Sequence, residues 1–64
     1  MIYAHIYIDG ELYTRRPMHA CPRVGETVRY GTPDKYAKVT EVIWCINEEA
    51  PMGNQRVNLR LVTE

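Results

Sequence analysis

Four side chains in this 64-residue chain could ligate a metal or form a nucleophilic pair: His5, His19, Cys21 and Cys45. Structural zinc sites bring their ligands in close pairs such as Cys-x-x-Cys, because a short loop can present two thiolates to one ion. Only His19 and Cys21 are close-spaced here, and they stand alone. The four read as ordinary histidines and small apolar thiols, so no metal and no cofactor is expected. The chain has no serine, which removes a serine nucleophile. A Cys–His pair needs an activated thiolate beside an imidazole, with donors for an oxyanion. Cys45 follows Trp44 inside a β-rich run, where a buried structural thiol is the expectation. Gly10, Gly25, Gly31 and Gly53 each punctuate a turn, and none builds a phosphate cradle. No residue is assigned a catalytic role, and the chain reads as a non-enzyme.

Binding chemistry has more to work with. Tyr3, His5, Tyr7, Leu12 and Tyr13 form an aromatic group near the N-terminus. Tyrosine suits protein contacts because it offers apolar area, rigidity and a hydroxyl. A second set is basic and aromatic: Arg15, Arg16, Arg23, Arg29, Tyr30, Lys35, Tyr36 and Lys38. Such a mixture suits single-stranded nucleic acid, where bases stack on rings and cations meet phosphates. The formal net charge is zero. That balance weighs against a strongly acidic nucleic-acid mimic and against a dedicated DNA binder. Trp44 with the tyrosines could form a cage for a modified lysine. The simpler expectation puts Trp44 in the core with Val39, Val57 and Leu59.

These groups must be positioned by strands. Ile2, Ala4, Ile6 and Ile8 alternate with Tyr3, His5 and Tyr7, the period-2 mark of a strand. Asp9-Gly10 follows, a strong hairpin signal because a type I′ turn needs positive φ at both central residues. A two-residue loop sets Ile8 opposite Glu11, Tyr7 opposite Leu12 and Ile6 opposite Tyr13. The aliphatic row and Tyr13 then share one face, while Tyr3, His5, Tyr7, Leu12 and Thr14 share the other. Residues 15–22 hold two prolines and read as a connecting loop. Val24-Gly25-Glu26 is a turn, Thr27 to Tyr30 a strand, and Gly31 to Asp34 another turn. Tyr36 to Ile46 is a long strand. Val39 and Val42 cannot share a face under strict alternation, so a bulge is expected near Thr40-Glu41. Residues 47–55 read as a hairpin loop, and Arg56 to Val62 as a half-buried final strand.

Five strands with short connections give an all-β fold, an antiparallel barrel or strongly curved sheet in one domain spanning residues 1–64. A chain this short buries only ~60% of the surface its unfolded form exposes, so a partner or second copy could complete its core. Phe is absent, and five tyrosines and one tryptophan supply the aromatic bulk. No apolar run of ~20 residues is present to span a membrane. The N-terminus lacks a signal-peptide pattern, so the chain is read as complete there and cytoplasmic. Two cysteines are too few for a disulfide framework, and the cytosol keeps them reduced.

Pro22, Val24, Gly25 and Glu26, then Val39, Val42 and Trp44, then Arg56, Val57 and Leu59 form a longer pattern. It resembles short phage- and prophage-encoded proteins of SH3-like type, which carry a Pro-x-Val-Gly-Asp/Glu lead-in, a Val-x-x-Val-x-Trp strand and an Arg-Val-x-Leu final strand. The resemblance covers roughly residues 22 to 62 and leaves out the Tyr-rich hairpin. It implies a small five-stranded antiparallel SH3-like barrel of phage-like origin and supplies no catalytic residues. The expected function is a protein-binding module directed at a host protein, such as an inhibitor of a defence complex, or at a second copy as a homodimer. The alternatives are a single-stranded nucleic-acid binder and a small-ligand binder at a homo-oligomer interface.

Overall fold

A computed structural model describes residues 2–46 and 55–64. Five strands form one sheet: β1 (Ile2–Ile8), β2 (Glu11–Met18), β3 (Thr27–Tyr30), β4 (Lys35–Cys45) and β5 (Gln55–Thr63). The sheet order is β2-β1-β5-β4-β3, and the sheet curls into a half-barrel. The loop expected at residues 47–55 lies, but for Gln55, outside the described residues.

The all-β expectation holds, but the purely antiparallel one does not. β1–β2, β3–β4 and β4–β5 pair antiparallel, whereas β1 and β5 run parallel, from Ile2 beside Gln55 to Ile8 beside Leu61. The physical reason is the position of β1. It leaves through the hairpin to β2 on one side and receives the last strand on the other, so all the intervening chain serves as the crossover that a parallel pair requires.

Asp9 and Gly10 have φ of 52° and 86°, the positive values a type I′ turn demands. Asp9 also ties the turn to the end of β5. Its backbone N–H donates to the Leu61 carbonyl (3.0 Å). Its carboxylate accepts from the Thr63 N–H (3.1 Å) and the Thr63 hydroxyl (2.8 Å).

Two bulges set the register. Ile8 faces Glu11 and Tyr7 faces Leu12, but Ile6 faces Thr14 rather than Tyr13. The extra residue on β2 moves Thr14 to the aliphatic side, a correction to simple alternation. The second bulge falls where Val39 and Val42 require it. Val39 faces Leu61 and Glu41 faces Arg60, leaving Thr40 unpaired in the ladder. The Thr40 hydroxyl donates to the Arg60 carbonyl at 3.1 Å and so satisfies a group beside the bulge.

The lead-in Pro22 to Glu26 serves this second bulge. Gly25, at φ 94°, donates to the Val39 carbonyl (2.9 Å), and Val39 donates back to Glu26 (2.9 Å). Residues 15–18, expected as loop, continue β2 instead. Pro17 is tolerated because β2 is an outer strand, where a missing N–H need not break a ladder.

The buried residues are Ala4, Ala37, Val39, Val57, Leu59 and Leu61, with Ile2, Ile6, Ile8, Met18, Cys21, Val28, Tyr30 and Val42 packed on them. The aliphatic face of β1 is therefore the inner, concave one. Trp44 is not core as expected, for its residue is 47% exposed. It pairs with Val57 on the concave side, but β3 runs beside β4 only from Lys35 to Lys38. Beyond that reach, among the described residues, the ring shares a shallow groove with the segment from His19 to Val24, Ile2 and Val42.

Candidate functional site

Successive rows across the sheet decide which side chains share its outer, convex face. One row is Pro17, Tyr3, Arg56, Cys45; the next is Arg15, His5, Asn58, Ile43; the third is Leu12, Tyr7, Arg60, Glu41. Each alternates with a row whose central members belong to the core, Ala4, Val57, Leu59 and Leu61 buried and Ile6 and Ile8 partly buried against them: Ala4 with Val57, Ile6 with Leu59, Ile8 with Leu61. Strand geometry then places Tyr3, His5, Tyr7 and Leu12 together outside. Tyr3 and Leu12 are exposed, and His5 and Tyr7 half-buried.

Tyr13 is separated from this group. Tyr13, the extra residue of the bulge, keeps to the aliphatic side that alternation gave it, beside Ile6 and Ile8, and its ring meets that of Tyr30 of β3 edge to face. Two arginines that sequence spacing did not single out take its place. Arg56 and Arg60 stand directly beside Tyr3 and Tyr7 because β5 runs parallel to β1 in that register. The sequence signals for them were the alternation of Arg56, Asn58 and Arg60 with Val57, Leu59 and Leu61 and, for Arg56, its place in the final-strand pattern, and neither names the neighbours of that outer face.

Among the described residues, charge on this face is unbalanced although the chain is neutral overall. Arg15, Arg56 and Arg60 are exposed. Glu41 meets Arg60 at 3.6 Å with both side chains solvated, an ion pair worth little. The Arg56 Nε donates to Asn58 Oδ1 at 3.4 Å, which orients the guanidinium along the face.

His5 sits in the middle. Partial burial lowers its pKa below the ordinary 6.5, and the positive charges of Arg56 and Arg15 lower it further. The folded state therefore prefers neutral His5. Its contribution to stability is fully present above pH 6.5 and is lost as pH falls through the lower folded value. Thermal unfolding should show a small decrease in Tm between pH 7 and pH 5, and His5→Gln should flatten part of it. An unchanged slope in that variant would show that His5 is not the group responsible.

The basic-aromatic set expected for nucleic acid is not gathered. Arg15 is on the convex face, Arg16 and Tyr30 are on the concave side, and Arg29, which alternates with Val28 and Tyr30, points outward and meets Asp34 at 3.8 Å. Arg23 lies in the turn closed by Glu26, whose carboxylate accepts the Arg23 backbone N–H. Lys35, Tyr36 and Lys38 follow on β4 next to β3. Cys21 and Cys45 are free thiols. Among the described residues, no three His, Cys, Asp or Glu side chains group around a common point. No helix among them is long and apolar enough to cross a membrane. Compared with protein-family models, with curated proteins and with solved structures, the chain matches none.

Proposed function

We propose that this chain is a non-enzymatic protein-binding module whose contact surface is the convex face around Tyr3, His5, Tyr7 and Leu12, and whose partner presents an acidic surface. The observation that supports this most is the pairing of Tyr3 with Arg56 and of Tyr7 with Arg60 across adjacent central strands. Tyrosine and arginine are the residue types that dominate binding hot spots. They stand here on rigid sheet rather than on loops, so little entropy is lost on contact. The excess of arginine sets the sign of the partner. Two copies meeting through this face would oppose three arginines with three, which disfavours a homodimer there. A host protein is the partner that the resemblance to phage SH3-like proteins suggests.

Single-stranded nucleic acid is the second reading, and the same Tyr–Arg rows favour it. One set of measurements separates the two. Tyr3→Asp with Tyr7→Asp should leave the circular dichroism spectrum β-rich and abolish capture of a partner from host lysate. Wild-type chain should show no binding to fluorescent oligo(dT) in 50 mM salt. Tight oligo(dT) binding that falls steeply with salt would replace the protein reading with the nucleic-acid one. Capture undiminished in the double variant would remove this face from both.

A further inference from the structure

The row Arg15, His5, Asn58 crosses the middle of the convex face on three adjacent strands, and Arg56 stands one row away on β5. The cluster is built of donors. The Asn58 carbonyl oxygen is taken by the Arg56 Nε, so what Asn58 has left to give a ligand is its N–H₂ pair. Arg15 and Arg56 are exposed, and a guanidinium has only donors. His5 becomes a donor at both nitrogens once protonated. Because β1 is flanked only by β2 and β5, the groups that face His5 are these, with Arg60, Tyr3 and Tyr7. Glu41 lies on β4, beyond β5, and meets Arg60 instead.

We propose that Arg15, His5, Asn58 and Arg56 form the anchor of the convex face: together they seat one carboxylate of the partner protein, and His5 takes up a proton as that carboxylate binds. This rests on the reading of the convex face as the contact surface and adds what fixes the partner there. In the unbound chain, partial burial and the two arginines hold His5 neutral at pH 7. A carboxylate set among them reverses that balance, because a negative charge within ~4–6 Å favours the imidazolium. Charge-assisted bonds from the guanidiniums and the amide then fix its position. The sign follows. His5 is neutral in the free chain and charged in the complex, so the complex holds more protons than its parts, and affinity rises as pH falls from 7.5 to 5.5. Arginines alone would give no such dependence, since they stay charged throughout.

The probe is N-acetylated tetra-aspartate, ionised at both pH values, titrated at low salt into isotope-labelled chain by NMR. Saturable shifts are expected in the Asn58 side-chain amide and in the backbone amides of His5, Arg15 and Arg56. The Kd should be about three- to tenfold lower at pH 5.5 than at pH 7.5. His5→Gln should keep the pH 7.5 affinity within about twofold and lose the gain at pH 5.5. Asn58→Asp places an anion in the chain itself, so the His5 imidazole should titrate higher and the peptide should bind about tenfold more weakly. Absence of saturable shifts in this cluster at both pH values would overturn the convex-face reading and the anchor with it. Binding centred on Asn58 with equal Kd at the two pH values, or with an undiminished gain in His5→Gln, would overturn the anchor alone. Tighter binding of oligo(dT) than of tetra-aspartate at the same residues would overturn the carboxylate in favour of phosphate.

Discussion

Leu59→Ala should leave most of the chain unfolded at 25 °C. Leu59 lies on the middle strand of the sheet, between Ile6 of β1 and Val42 of β4, and is among the largest fully buried side chains. Truncating a buried leucine costs about 2–5 kcal/mol, the lost transfer energy plus the cavity. A domain of this size has about 3–10 kcal/mol of total stability. With so few buried residues around it, little remains to close over the gap. Urea unfolding followed by Trp44 fluorescence reads the result. A cooperative transition at the wild-type midpoint would mean that β5 is not the centre of the core.

Gly10→Val should lower Tm by about 10–20 °C. The added side chain would meet no neighbour within 4 Å, so crowding is not the cause. The cost is conformational: Gly10 stands at φ 86°, which a β-branched residue adopts badly, at about 2–3 kcal/mol. In a domain this small each kcal/mol moves Tm by about 4–8 °C. Strain at Gly10 also disturbs Asp9, and with it both bonds to Thr63. Gly10→Asn should recover much of the loss, since asparagine tolerates the left-handed region. Equal Tm values for the valine and asparagine variants would show that positive φ is not what the turn requires.

How much of this was legible follows from the range of each interaction. The Asp9-Gly10 turn and the Thr40 bulge are local conflicts of φ and of alternation, and four or five residues suffice to read them. Period 2 separated Ile2, Ala4, Ile6 and Ile8 from Tyr3, His5 and Tyr7, but both sets are largely apolar, so which face is inner was left open and rests on the ladder to β5. Trp44 was misread because its residue type argues for burial, while its exposure depends on how far β3 extends beside β4. β2 was cut short because Pro17 argues against a strand unless the strand is known to be an outer one. The Tyr–Arg rows were out of reach altogether. They depend on β1 and β5 running parallel, a pairing between the two most distant strands, and periodicity carries no record of it.

That same pairing bears on how the protein is made. β1 is synthesised first, and its central-sheet neighbour is synthesised last. At about 5–20 residues per second, several seconds pass before Gln55 to Leu61 exist to meet Ile2 to Ile8. During translation the nascent chain can form the β1–β2 hairpin and bring β3 to β4, but it cannot join the two halves. Their union closes a loop that contains β2, β3 and β4, an entropic cost met only once β5 has been made. Through that interval Ile2, Ile6 and Ile8 lack the strand that covers them, and the nascent chain is at its stickiest just before β5 reaches them.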